Sequence, residues 1–153
     1  MSLLHTIIKP YSFLARILDT IAPFFDLGIR LWVAWAFLKS GMVKIQSWES
    51  TLMLFNYEYE VPFLSPETAA YMGTAAELSL PVLVALGIAS RVSALALFAF
   101  NAVAVYAYSA FLFSPEGAAG LQQHILWGSL LLVSVFHGPG KLSVDHLLCK
   151  KCE

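Results

Sequence analysis

Four apolar runs, at roughly residues 24–44, 68–88, 92–112 and 121–137, constrain this chain more than any other feature. Each is about 17–21 residues long, the length a helix needs to cross ~30 Å of hydrocarbon, and each is bounded by Gly, Pro or charge. Backbone in hydrocarbon has to satisfy its own hydrogen bonds. Four such runs in 153 residues therefore predict an all-α fold, an integral membrane four-helix bundle. Composition agrees, because 59% of the chain is hydrophobic and only 12% is charged, about half the charged fraction of a soluble domain.

Ahead of the first run, residues 1–22 place Leu3, Leu4, Ile7, Ile8, Tyr11, Leu14, Leu18 and Ile21 at helical spacing, with His5, Lys9, Ser12, Arg16 and Asp19 between them. That pattern predicts an N-terminal amphipathic helix lying in the membrane interface; a soluble cap packed on the bundle is the alternative. The chain thus divides into the interfacial helix at 1–22, a four-transmembrane-helix domain at 23–146 and a tail at 147–153. No signal-peptide pattern stands at the N-terminus, where Pro10 interrupts the apolar block, so no segment is expected to be removed. The net charge of −1 and the absence of a basic stripe exclude a nucleic-acid partner.

Lys9, Arg16, Arg91, Lys141, Lys150 and Lys151 fall on the side shared by both termini, whereas Glu49, Glu58, Glu60, Glu67 and Glu116 lie in the opposite loops. The positive-inside rule then predicts that both termini are cytoplasmic. The acidic, aromatic loop 45–67 is expected outside, as a lid or docking surface for a protein partner, or as a short amphipathic segment resting on the outer leaflet.

Arg30, Lys39 and Glu77 stand within the runs, where an unpaired charge costs about 2.5–3.5 kcal/mol. At ~100° per residue Arg30 and Lys39 occupy opposite faces of the first helix. Arg30 shares a face with Asp26, Ala34, Phe37 and Gly41 and is expected to point inward. Lys39 lies with Trp32 and Trp35, a face suited to lipid or to a neighbouring subunit, which leaves a homo-oligomer open. Pro81 has no N–H for the carbonyl of Glu77 and marks a helix kink. Ala70, Gly73, Thr74 and Glu77 share one face, and Asn101 lies near the same depth. A buried polar site of Arg30, Glu77 and Asn101, opening outward past His124 and Tyr108, follows, with Arg30 and Glu77 paired across the bundle. Two alternatives stand beside it: Arg30 paired with Asp26 in its own helix, and a polar clamp that only fixes helix register.

The terminal "CKKC" holds the chain's two cysteines, Cys149 and Cys152. Lys150 and Lys151 would depress the thiol pKa, so this CxxC is a candidate reactive dithiol or Cu(I) ligand pair; an exposed basic tail with incidental cysteines is the alternative.

At "RLWVAWAFLKSGMVK", "AELSLPVLVALGIASR" and "GPGKLSVD" the sequence resembles the DoxX family of small four-helix membrane proteins, over roughly residues 25–146. Arg30, Gly41, Lys44, Glu77, Pro81, Gly87, Arg91 and Gly138 to Asp145 carry the resemblance. It implies four transmembrane helices in a bacterial-type inner membrane. Its named relatives imply a redox setting, since the family takes its name from a component of a thiosulfate:quinone oxidoreductase and other members accompany thiol, oxidative-stress or metal-stress systems. No catalytic residue is carried over. Two function classes follow: a membrane subunit of an oxidoreductase whose buried polar site receives a quinone or a small sulfur or thiol substrate, and a non-enzymatic scaffold or small transporter linked to metal or oxidative stress.

Overall fold

The structure, a computed structural model, describes residues 2–149, with side-chain surroundings from residue 11 onward. All its regular elements are helices: α1 (Ser2–Gln46), α2 (Trp48–Tyr57), α3 (Pro66–Leu86), α4 (Ser90–Ala107), α5 (Ser109–Leu112), α6 (Ala118–His137) and α7 (Val144–Cys149). Four stretches are long and apolar enough to cross a membrane: Tyr11–Gln46 within α1, and the whole of α3, α4 and α6. They pack in a ring in which α1 lies on α3, α3 on α4, α4 on α6, and α6 back on α1. Val33, Phe37, Val84, Ala94, Leu97 and Leu131 form its core. Phe37 sets its ring edge against Trp127 at 5.4 Å. The outer faces carry exposed Trp32, Trp35, Val82, Leu95, Val103, Ile125 and Phe136, the surface a hydrocarbon solvent requires.

α1 is 45 residues long, roughly 67 Å at ~1.5 Å per residue and more than twice the hydrocarbon thickness. Among the residues whose side-chain surroundings are described, its buried positions all lie in its C-terminal half. Tyr11, Leu14, Leu18 and Ile21 of its N-terminal half are each at least half exposed. The boundary expected near residue 22 has no break, because the helix runs on through Pro23.

α3 starts where its sequence says it should: Ser65 Oγ accepts the Thr68 N–H at 3.3 Å, Pro66 occupies the first turn, and Glu67 follows. The expected kink residue, Pro81, is buried inside α3, which remains helical on both sides of it. Gly87 ends the helix in the left-handed conformation at φ +68°. α4 is shorter than the run 92–112. It stops at Ala107, whose carbonyl accepts the Glu60 N–H at 2.8 Å, so the loop after α2 terminates it. The loop 45–67 is therefore a folded part of the bundle: α2 lies on α3, burying Phe55 against Ala69 and Ala70 under Trp48, Leu52, Tyr59 and Val61. We refer to this side as the loop end, and to the side of Gly87 and α7 as the turn end.

Candidate functional site

The antiparallel register of α1 and α3 decides where each buried charge goes. Gly41 sits opposite Glu77, so close that a Cβ at Gly41 would lie 3.0 Å from the Glu77 Cβ. Arg30 lies opposite Ala85, about three turns away toward the turn end. Helical side chains tilt toward their own N-terminus. On antiparallel helices, Arg30 is thereby directed to the turn end and Glu77 to the loop end.

The expected Arg30–Glu77 pair is accordingly absent. Arg30 is buried as expected, but its guanidinium donates to the carbonyl of Leu142, and to that of Ala85 at 3.4 Å, while Nε is buried without a partner. The alternative partner, Asp26, and Asp145 lie near enough to act on its charge, yet neither forms an ion pair with it. Asp145 instead accepts the N–H groups of Ala89 at 2.8 Å and Ser90 at 2.7 Å, capping α4. Burial works against its ionised form, but the bonds from Ser90 and Ala89 and the charge of Arg30 hold its carboxyl below the usual range. Gly87 lets this assembly close, because a Cβ there would strike Arg30 Nη1 and come within 2.5 Å of the Ser143 Cβ.

Glu77 pairs with Lys44. Lys44 Nζ lies 2.8 Å from Oε1 and 2.6 Å from Oε2, and also donates to Ser40 Oγ at 3.0 Å. Ser40 Oγ in turn donates to Glu77 Oε1 at 3.2 Å. Lys44 starts one turn nearer the loop end than Gly41, so its N-terminal tilt brings the ammonium down onto the carboxylate tilting up. Both side chains are about nine-tenths buried, at 12% and 9% exposure. In such a setting the pair offsets the desolvation that either ion alone would suffer. The sequence carried a signal for it: Ser40 and Lys44 are four residues apart and flank the Gly41 face.

Beside this pair is a cavity of about 310 Å³. Phe55 of α2, Tyr59 and Val61 of the loop, Met72 and Ala76 of α3, Phe100 and Ala104 of α4, and His124 of α6 line it, with Ser40, Lys44, Glu77 and Tyr108 supplying further polar groups. Of the expected site residues, Glu77, His124 and Tyr108 meet there. Asn101 stands behind the wall, buried, and holds His124 twice: its Nδ2 donates to the His124 carbonyl at 3.0 Å and its Oδ1 lies 2.8 Å from Nδ1. Arg30 belongs to the opposite end. Tyr108 donates to Glu58 Oε2 at 3.0 Å, and burial, with that bond and charge, raises its pKa. Tyr59 packs edge-on against both Phe55 and Tyr108. Burial, reinforced by Tyr108, Glu77 and Glu58, pushes its phenol up to about 12, so it remains a donor at any ordinary pH.

The sequence model of the DoxX family matches residues 25–115, more than half of the chain. The chain belongs to the DoxX family. That span contains the cation and carboxylate of the ion pair and most of the cavity wall, while His124 and the DoxX chain's turn-end segment lie beyond it. An uncharacterized protein of Haemophilus influenzae is 27% identical over 124 residues, 80% of this chain and 82% of the relative. No solved structure matches the chain.

Cys149 is free and exposed at the end of α7. Cys152 lies outside the described residues, and with it the expected dithiol or Cu(I) site. Among the described residues no group of three or more His, Cys, Asp or Glu side chains is gathered as a metal site.

Proposed function

We propose that this DoxX-family protein is a membrane-embedded binding subunit of a redox system in a bacterial-type inner membrane, and that its loop-end cavity holds a quinone head group or a small sulfur compound. One observation carries the reading: a mostly apolar cavity large enough for a single substituted ring, flanked by an ion pair and a histidine and bounded by Phe55, Tyr59, Phe100 and Tyr108. Small-molecule sites have this composition, with apolar walls for affinity and a few placed polar groups for orientation. The family's redox associations agree with it. The loop end faces outward and both termini are cytoplasmic, since Arg91 and Lys141 are exposed at the turn end whereas Lys44, at the loop end, is neutralised by Glu77.

Calorimetric titration of the purified protein with a short-chain benzoquinone tests the reading. Wild type should bind it. Ala76→Phe and Ala104→Phe, which fill the cavity from α3 and α4, should each weaken binding by about tenfold or more, equivalent to ~1.4 kcal/mol. No binding of quinones or of thiosulfate by the folded wild type would reject a ligand cavity and favour a scaffold. Orientation is read separately in a Cys-free background: an impermeant thiol reagent added to intact cells should modify Glu58→Cys and spare Leu148→Cys.

A further inference from the structure

The polar groups of the cavity differ in whether their hydrogen-bonding capacity is already used. Lys44 donates to both Glu77 oxygens and to Ser40, and Ser40 donates to Glu77, so that cluster is internally satisfied and electrically neutral. The Tyr108 hydroxyl is committed to Glu58.

His124 is different, and Asn101 fixes how. Only the amide nitrogen of Asn101 can donate to the His124 carbonyl, so its oxygen faces Nδ1. An amide oxygen only accepts. Nδ1 therefore carries the hydrogen, and the neutral ring keeps Nε2 as a bare acceptor. The ring is further braced against Trp127 at 5.1 Å. With Nδ1 turned to Asn101, Nε2 is the ring nitrogen left to the cavity that His124 lines. Tyr59 supplies the complement: its ring is held between Phe55 and Tyr108, and its hydroxyl is bonded to no other described residue.

We infer that the cavity recognises a hydroxyl group on a ring, with His124 Nε2 accepting its hydrogen and Tyr59 donating to a ring oxygen, so that the site selects hydroquinone-type over quinone-type ligands. This rests on the ligand-cavity reading above and names the ligand class. His124 and Tyr59 are its specificity-determining residues, and Asn101 is a positioning residue that sets the tautomer. A quinone carbonyl can only accept, so it can use Tyr59 but leaves Nε2 unpaired, and a buried acceptor left unpaired is disfavoured.

The test compares tetramethylhydroquinone with tetramethylbenzoquinone, probes of nearly equal shape, by anaerobic calorimetry on the full chain. Wild type should bind the hydroquinone about tenfold more tightly. His124→Leu should erase that preference, with quinone affinity rising as the unpaired acceptor is removed, whereas Tyr59→Phe should weaken both ligands. Asn101→Leu should reduce the preference without lowering quinone affinity. The wild-type comparison needs no substitution, so a variant that fails to fold does not remove the test. Equal wild-type affinity for the two probes, or a preference that survives in folded His124→Leu, overturns the inference while the cavity reading stands. Failure of the folded wild type to bind either probe overturns the inference, and failure to bind the short-chain benzoquinone and thiosulfate as well overturns the cavity reading.

Discussion

Arg30 and Lys44 sit on the same face of α1, roughly 21 Å apart along its axis, and both are buried cations that meet different fates. Arg30 is bound to backbone carbonyls of the α3 end and of the segment before α7, in a place where a missing Cβ at Gly87 is needed for closure. Lys44 is bound to a side-chain carboxylate next to open space. A guanidinium with a planar fork of donors suits the first role, joining two chain segments at once; a compact ammonium suits the second. The contrast shows that a buried charge marks a ligand site only when its surroundings are not already closed around it. The turn end is closed architecture, and the loop end keeps open space beside its ion pair.

The largest effect expected from breaking this contrast is at the ion pair. Lys44→Met or Glu77→Gln alone should destabilise the bundle by about 3–5 kcal/mol, because each strands the other charge in a low-dielectric interior. The double substitution should recover part of that loss, with a coupling of about 0.5–3 kcal/mol. The same cycle on Arg30 and Glu77 should be additive to within about 0.5 kcal/mol, since they point to opposite ends. Reversible unfolding in micelles or bicelles measures both cycles. Coupling in the second cycle and none in the first would invert the assignment of the two ends.

Next in size is Gly87→Ala. Its φ of +68° disfavours an L side chain, and the added Cβ would overlap Arg30 Nη1 and Ser143. A loss of about 2–4 kcal/mol is expected. Ligand binding in whatever fraction remains folded should be unchanged, which separates architecture from site. Asp145→Ala comes third, at about 1–2 kcal/mol for a lost helix cap. A gain of stability, or altered ligand affinity, would contradict the division between the ends.

Much of this was legible in the sequence. Four apolar runs gave the spans, the positions around Arg30 showed that it faces inward, and the price of an unpaired charge showed that Glu77 needs a cation. The cation itself was misassigned for two physical reasons. Position within an apolar run does not mark the level at which its helix meets Glu77, because the apolar stretch of α1 continues far beyond the bundle. Side-chain tilt also moves the heads of Arg30 and Glu77 apart and those of Lys44 and Glu77 together, a displacement of about a turn that position along the axis does not show. The cavity was less legible still, because Phe55, Tyr59 and Val61 reach it only through the packing of α2 and the loop that follows, contacts between segments that no periodicity encodes.

The smallest effect is a pH dependence confined to the turn end. The folded Asp145 carboxyl titrates below its ordinary value of 3.8, because the bonds from Ser90 and Ala89 and the charge of Arg30 outweigh its burial. A carboxyl depressed on folding contributes stability that is fully present above the unfolded value and is lost as pH falls through the folded one. The gap in unfolding temperature between wild type and Asp145→Asn should therefore be constant from pH 7 to about 5 and shrink below about 4. Asp145 stands partly in solvent, so the change should be a fraction of that caused by Asp145→Ala. Repeating the scan in Glu77→Gln should leave the closing of this gap unaltered, because the Lys44–Glu77 pair lies at the other end. A gap that stays constant to pH 3 would contradict a carboxyl held by its cap bonds, and one whose closing moves when Glu77 is substituted would mean that the turn-end cap and the loop-end pair are one electrostatic unit rather than two.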